Sequence, residues 1–527
     1  MKAWVNIYPS RPFGMFTFAL NYHFNQLDVY YYHFVNLIIH LINACLVWWL
    51  TLLIFSSPAL KDNPINRQKK VIALFTALLF VSHPLATQSV TYIWQRLASM
   101  VAMFYLFSLI FYIKARLSNK GNISKTLLFS FSLISAVLAM LTKENAFTLP
   151  FAIMLFELFF LRTKKFSLNF RDYRVILLLA AFLGVMLIIP FKYSFSVFKT
   201  IPPRLGHAYA ITPVNYLFSQ FSIIVKYIQL LFFPIDQNLD YDIPISNTFF
   251  ELKTILCFLF ILSLIILAMF LFNKHRVISF GIFWFFLTSL IESSIIPLDD
   301  LVCEHRTYIP SFGFFLILTS GIYLLFWNKY KYLALSIFVL IIGLNSYLTY
   351  ERNKIWNDFI SLWNDNIAKT PNLPRVLLNR GVAFRRLGQW EKAIDDYSNV
   401  ISINPKLEEG YNDRGFAYVH LGKYDKAIGD FTKIIEIDPR SIIAYSNRGA
   451  AFFNLGQWDK AVADFSKAIV LDPKYASAYN NRGAAFCNLG QWDKAIADYS
   501  KVIEIDPNNA KAYSNREFAY KKLLSKN

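Results

Sequence analysis

The stretch YLALSIFVLIIGLNSYLTYERNKIWNDFISLWNDNIAKTP, residues 332–371, decides the fold. Its first half is apolar over the length a helix needs to cross a bilayer, about 20 residues. Its second half carries the phase of a repeat. Trp356 stands 34 residues before Trp390, and Pro371, Pro405, Pro439, Pro473 and Pro507 recur at the same interval. A membrane span therefore runs into the first helix pair of a repeat array. The reading is an all-α chain with a polytopic membrane domain over residues 1–350 and a repeat α-solenoid over residues 351–527.

Downstream, three copies align without gaps: YNDRGFAYVHLGKYDKAIGDFTKIIEIDPRSIIA (411–444), YSNRGAAFFNLGQWDKAVADFSKAIVLDPKYASA (445–478) and YNNRGAAFCNLGQWDKAIADYSKVIEIDPNNAKA (479–512). A diverged copy occupies 377–410, a degenerate half repeat 351–376, and YSNREFAYKKLLSKN (513–527) caps the array. A 34-residue period with small residues at fixed offsets and a closing proline is the tetratricopeptide pattern. Gly415, Gly449 and Gly483, with Ala427, Ala461 and Ala495, let paired helices approach. Tyr424, Trp458 and Trp492 start the second helix and are expected to fill its core, and Asp-Pro ends it. Such arrays form a groove lined by the first helix of each pair. Asn379, Asp413, Asn447, Asn481 and Asn515 share one position of that helix. An amide both donates and accepts hydrogen bonds, so this row suits an extended peptide backbone. The same row also follows from copying a repeat whose Asn-Arg-Gly merely opens the helix.

Upstream, the chain is dense in Phe, Leu and Ile. Ten spans are expected, near 33–55, 71–84, 97–113, 126–142, 146–161, 175–191, 254–273, 277–297, 311–327 and 333–350. The formal charge of +19 sits largely in the alternate loops 61–70, 114–125, 162–174, 273–276 and 328–331. That is the positive-inside pattern and marks those loops as cytoplasmic. It is not a nucleic-acid patch, and no nucleic-acid partner is expected. Residues 216–233 are read as an interfacial or re-entrant helix, because a crossing there would invert the charge pattern. An even count then puts both termini, and the repeats, on the extracytoplasmic side. The cysteines Cys45, Cys257, Cys303 and Cys487 include no Cys-x-x-Cys, so neither zinc nor a disulfide framework is indicated.

The opposite loops gather ionisable residues at span ends: 82–100, 141–150, 231–242 and 292–314. A single Lys or Arg at a span end commonly snorkels to the headgroups, which is the plain account of Lys143 and Arg96. Asp299, Asp300, Glu304, His305 and Arg306 are more than anchoring needs, and ionisable groups at a membrane boundary mark function. Basic groups beside acids at a bilayer surface suit a lipid-linked sugar phosphate. Arg grips phosphate by paired hydrogen bonds, a carboxylate takes a proton from an incoming hydroxyl, and the spans hold the lipid tail.

These outer stretches resemble the transmembrane and tetratricopeptide repeat-containing proteins, multispan glycosyltransferases of the GT-C superfamily related to protein O-mannosyltransferases. The matching segments are RPFGMFTFALNYHF (11–24), YYHFVNLIIHLINA (31–44), HPLATQSVTYIWQR (83–96), LTKENAFTLP (141–150), QNLDYD (237–242) and EHRTYIPSFG (304–313), in order and followed by the repeats. The resemblance implies an inverting transfer of sugar from a polyprenyl-phosphate donor to Ser or Thr of a protein held by the repeats. Glu304 and Asp300 are then the catalytic candidates. Arg306, with His305, Arg96 and Lys143, is assigned to the donor phosphate. Glu144, Asp240, Asp242 and His83 are further outer-face candidates. In the superfamily a first outer loop carries an acidic pair acting as base or metal ligand. It would precede Arg11, and MKAWVNIYPS (1–10) holds no acid. The expectation is a chain lacking that loop and the first span, with the need for a divalent cation left open. Gln88 and Ala98 stand where animal members tend to have acids, which points to a bacterial inner membrane. The alternative reading is a non-catalytic, membrane-anchored tetratricopeptide scaffold for envelope protein assembly.

Overall fold

A computed structural model describes residues 11–118, 121–161, 211–293, 297–298, 300–327 and 329–525. The chain separates into two compact units, Met1–Asn357 and Asp358–Asn527.

In the first unit, seven helices are long and apolar enough to cross a membrane: Val29–Phe55, Ile93–Leu117, Asn122–Met140, Glu144–Leu161, Leu252–Leu271, Pro310–Trp327 and Lys331–Ile355. The protein is a multi-pass membrane protein. Two expected spans are shorter. Lys69–Ser82 and Arg276–Ser289 have 14 residues each, about 21 Å at 1.5 Å per residue against a hydrocarbon core of about 30 Å. They pack against longer neighbouring helices. Thr76 and Thr319 share a hydroxyl hydrogen bond of 2.8 Å. A Cβ built at Gly313 would lie 2.5 Å from the carbonyl oxygen of Gly281, so the helices carrying these two glycines touch backbone to backbone, as small residues permit in membranes. The expected span at 175–191 lies outside the described residues.

Polar side chains sort to the two ends of this unit. At one end Glu157 accepts from Arg116 Nε at 2.6 Å, from Arg116 Nη2 at 3.1 Å and from the Tyr112 hydroxyl at 2.6 Å. Arg276 donates there to the carbonyl of Phe159. This is the end of the basic loops. At the other end the segments around 83–96, 141–148, 233–246 and 300–309 meet in one layer. The helix Pro213–Phe232 runs along that layer. Its Tyr216 hydroxyl donates to the carbonyl of Glu292, its Tyr227 hydroxyl accepts from the Cys303 amide, and its Leu231 carbonyl accepts from His83. A crossing helix of this length would carry its ends about 30 Å apart, to opposite boundaries. Its start, middle and end all touch the same layer, as an interfacial helix does.

The second unit is a tetratricopeptide solenoid. Helices pair as Pro374–Arg386 with Trp390–Ile403, Glu408–His420 with Tyr424–Ile437, Ile442–Asn454 with Trp458–Leu471, and Ala476–Asn488 with Trp492–Ile505. Phe359–Lys369 precedes them and Ala510–Leu524 follows them. Each pair meets at a glycine: a Cβ at Gly449 would sit 2.9 Å from the Phe465 ring. Gly456 ends the first helix of its pair at φ +73°, a conformation glycine adopts without strain. The helix-starting Tyr424, Trp458 and Trp492 are only half-buried, contrary to the expectation that they fill the core. The ring buried between helices belongs to Tyr397, Phe431, Phe465 and Tyr499, two turns further on the same face.

A clamp absent from the sequence reading recurs in every pair. Arg380, Arg414, Arg448 and Arg482 each fork onto the aspartate 16 residues later, Asp396, Asp430, Asp464 and Asp498. A further nitrogen reaches back to the preceding pair, from Arg414 to Ser398 at 3.0 Å, Arg448 to Thr432 at 3.1 Å and Arg482 to Ser466 at 2.9 Å. One guanidinium thus ties three helices. Arg448→Ala strands the Asp464 carboxylate, which is 6% exposed, and is expected to cost about 2–3 kcal/mol. Urea unfolding followed by circular dichroism checks this. An unchanged midpoint would remove the clamp from the account of stability.

Candidate active site

Residues Glu304–Thr307 form a single 3-10 turn, and Pro310 opens the helix Pro310–Ile322 after it. Proline suits that position because its missing N–H is not needed in a first helical turn. All four turn residues are buried, and the three ionisable ones reach different segments. Glu304 is 1% exposed. Its Oε1 accepts from the Asn238 amide at 2.8 Å and the Tyr241 hydroxyl at 2.7 Å, and its Oε2 from Gln237 Nε2 at 3.3 Å. His305 faces Gln88, whose Oε1 accepts from the His305 backbone N–H at 2.7 Å and lies 3.1 Å from Nδ1. Arg306 donates to the carbonyls of Leu301 at 3.0 Å and Asp300 at 2.6 Å, with the Tyr216 hydroxyl at 3.4 Å.

Beside the turn lies a buried ion pair. Lys143 Nζ donates to Glu292 Oε1 at 2.5 Å, and Asn145 Nδ2 to Glu292 Oε2 at 2.8 Å. Burial alone would raise the Glu292 carboxyl, but the positive charges of Lys143 and Arg306 outweigh it and hold the group down at about 2. Burial, then the nearby Lys143, pushes the His305 imidazole well below its ordinary range, so it is neutral at neutral pH. Glu144, next to Lys143, takes a fork from Arg11 at 3.0 and 3.1 Å.

The layer therefore gathers Glu304, His305, Arg306, Lys143 and Glu144, together with the carbonyl of Asp300. Arg96, expected at the donor phosphate, is enclosed elsewhere. It is fully buried, donates to Asn36 at 2.6 Å, Asn21 at 2.7 Å and the Tyr32 carbonyl at 3.1 Å, and lies over the Phe18 ring. It holds the helix Pro12–Asn25 to the bundle. His83 is a local brace: its Nδ1 accepts from the Leu85 amide and its Nε2 donates to Leu231. Asp240 is buried and Asp242 exposed. Asp299 lies outside the described residues. Gln88, Glu292, Gln237, Asn238, Tyr241 and Tyr216 complete the layer; none of them is among the candidate site residues that the sequence offers. Glu292 was visible only as an acid at a span end. Among the described residues no three His, Cys, Asp or Glu side chains converge as ligands for one ion.

Along the solenoid row, Asn447 donates to Asn412 at 3.2 Å and Asn515 to Asn480 at 3.2 Å, so part of the row bridges one pair to the next. Asp413 lies 3.6 Å from Arg385. Asn379 and Asn481 are half-buried at the same register.

Under the boundary helix is an apolar groove of about 390 Å³, lined among others by Ile228, Phe232, Phe260, Phe285, Phe314 and Leu325. The Phe232 and Phe314 rings meet edge to face at 4.7 Å. Phe314 lies one turn into the helix that follows the Glu304–Thr307 turn, so the groove adjoins the polar layer.

The tetratricopeptide repeat profile matches residues 408–441 and 476–509, and a second TPR repeat profile matches 381–422 and 451–490. Among curated proteins, a protein O-mannosyl-transferase of Caenorhabditis elegans is 25% identical over 387 residues, 70% of this chain and 50% of that protein. Protein O-mannosyl-transferase Tmtc3 of Drosophila melanogaster is 25% identical over 435 residues, 72% of this chain and 46% of that protein. Protein O-mannosyl-transferase TMTC1 of Homo sapiens is 23% identical over 414 residues, 70% and 45%. The chain spans about half the length of these relatives. Among solved structures, MamA aligns with a TM-score of 0.27 at 24% identity, covering 29% of this chain and 83% of MamA. YrrB, described as a TPR protein with an unusual peptide-binding site, aligns at 0.28 and 18% identity, covering 30% of this chain and 81% of YrrB. The proteins homologous to this chain are thus the TMTC protein O-mannosyl-transferases, and its second unit is built of tetratricopeptide repeats.

Proposed function

We propose that this chain transfers a sugar from a polyprenyl-phosphate donor to Ser or Thr of a protein held by the repeats, at the boundary layer that contains the Glu304–Thr307 turn. The observation that carries the reading is the adjacency of two unlike environments. A buried polar layer with Arg306 and Lys143 borders an apolar groove under the boundary helix. An anionic headgroup on a hydrocarbon tail matches that pair: phosphate toward Arg306, tail along Phe314 and Phe285. The names of the homologues support a protein acceptor. By the charge of the opposite loops, this layer faces away from the cytoplasm, with the repeats on the same side of a bacterial inner membrane. Glu304, with both oxygens bonded to the loop 237–241, serves here to hold that loop against the turn. A purely anchoring scaffold would leave the buried Lys143–Glu292 pair and the Arg306 turn without a use.

The test is transfer from polyprenyl-phosphate mannose to an acceptor protein in membranes containing the full chain. Arg306→Ala is expected to lower the rate by about 100-fold, the cost of removing one preorganised charge-stabilising donor, with Arg306→Lys intermediate. An unchanged rate in both variants removes Arg306 from the donor phosphate. No transfer by the wild type from mannosyl or other glycosyl donors would leave the anchored scaffold as the function.

A further inference from the structure

We infer that the solenoid holds its partner at two matched aromatic stations, three repeats apart. It thereby selects an extended protein segment with a large apolar side chain at each end of a stretch of about seven to nine residues, and small side chains between. The inference rests on the reading that the repeats hold a protein segment, and adds which kind of segment.

The first station lies where one helix pair meets the next. Trp390 opens its helix, and the His420 ring stacks on it at 4.3 Å with 7° between the planes. Phe416, one turn before His420, closes on both rings, 4.6 Å from His420 and 6.4 Å from Trp390. The Arg385 guanidinium covers one side of Phe416 at 5.3 Å, yet Phe416 is still 40% exposed. Three 34-residue periods further on, the set recurs. Trp492 meets Phe518 at 6.3 Å, the Lys522 ammonium lies over the Phe518 ring at 5.8 Å, and Phe518 is 52% exposed.

The repeats between break the pattern. Ala450 and Ala484 stand at the register of Phe416 and Phe518, and Asn454 and Asn488 at the register of His420 and Lys522. Each of these asparagines turns back to the carbonyl of its alanine, at 2.9 and 3.0 Å. Trp458 opens an equivalent helix although only Ala484 and Asn488 occupy that register after it. A repeat therefore closes without a ring there, and the exposed rings of Phe416 and Phe518 are surplus to folding. Phe416, Ala450, Ala484 and Phe518 each lie three residues past the row from Asp413 to Asn515, on the same helix face, so the groove reads large, small, small, large.

The spacing sets the length of the segment. Asn447 reaches Asn412 of the preceding first helix at 3.2 Å, so these helices are direct neighbours, about 8–10 Å apart. Three such steps make about 24–30 Å, which an extended chain covers in about seven to nine residues at about 3.3–3.6 Å each. A large apolar side chain set on Phe416 or Phe518 takes both surfaces out of water. Over Ala450 and Ala484 no ring waits, and serine or glycine suffices.

The test uses the full chain in detergent and a fluorescent peptide with two phenylalanines separated by seven serine and glycine residues. This probe is expected to bind about tenfold more tightly than the same peptide with one phenylalanine, or with the two placed three residues apart, which is the worth of one interface anchor. Phe416→Ala and Phe518→Ala should each abolish that advantage, with the circular dichroism of the chain unchanged. Equal binding of the three peptides by the wild type overturns the inference without any variant. A dimer of the chain that Phe416→Ala dissolves would give the stations to a second copy and also overturns it. Transfer to an acceptor protein alongside equal peptide binding overturns the inference and leaves the transferase reading standing. Selective peptide binding without transfer supports the stations and removes the enzyme.

Discussion

Glu292→Ala is expected to destabilise the membrane unit by about 3–5 kcal/mol, the cost of leaving one partner of a buried ion pair behind. Lys143 and Glu292 are each 6% exposed, and the carboxylate also receives Asn145. Removing it leaves an ammonium and an amide without their acceptor inside a packed layer. Thermal unfolding in detergent, read by loss of the monodisperse peak in gel filtration, should show a large downward shift. The double variant Lys143→Met, Glu292→Leu removes both charges and should recover most of the loss, since well-packed apolar replacements of buried pairs are often neutral. Equal damage from the single and double changes would show that the pair itself is not what matters. The pair also sets a pH dependence. The folded-state carboxyl of Glu292 lies at about 2, below its ordinary 4.5, so between these values the unfolded chain binds the proton first. Its contribution is complete above about pH 4.5 and is lost as pH falls toward 2.

Gly449→Trp is expected to disrupt the Ile442–Asn454 and Trp458–Leu471 pair. Even a Cβ there would stand 2.9 Å from the Phe465 ring and 3.0 Å from its next carbon. Ordinary overpacking costs about 1–3 kcal/mol, and an indole in place of a hydrogen exceeds what that contact can absorb. Gly449→Ala should fall in the ordinary range. Hydrogen exchange on the full chain should show faster exchange over residues 442–471 in the Trp variant, with the membrane unit unchanged. Retained protection would mean the two helices do not meet at Gly449.

What could be read from sequence divides along the same line as the chain. The solenoid was legible because a 34-residue period repeats every contact, so glycines and closing prolines report the geometry several times over. The misplacement of Trp458 has a simple cause. Size and apolarity point to Trp458 as core, but the first residue of a helix lies at its rim, and Phe465 two turns on reaches the centre. In the membrane unit, apolar length located the helices. It could not tell that Lys69–Ser82 and Arg276–Ser289 are short and packed among neighbours. The polar layer was legible as a set of ionisable residues but not as a set of partners. Arg96 meets Asn21 and Asn36, and His305 meets Gln88 across more than 200 residues of chain. A span-end arginine that grips lipid phosphate and one that grips a neighbouring helix look alike in one dimension. Gln88, legible in sequence only as a neutral residue where animal members tend to have an acid, meets His305 only through a contact that folding creates.

The guanidinium clamps give the solenoid a mechanical character. Each joint between neighbouring pairs is closed by one arginine, so a pull along the axis passes through the joints in series. The force the array withstands is that of its weakest joint, not the sum over all. The joints at Arg414, Arg448 and Arg482 are nearly alike, each with a carboxylate fork and a hydroxyl. Breaking any one of them is expected to set the force at which the whole array yields.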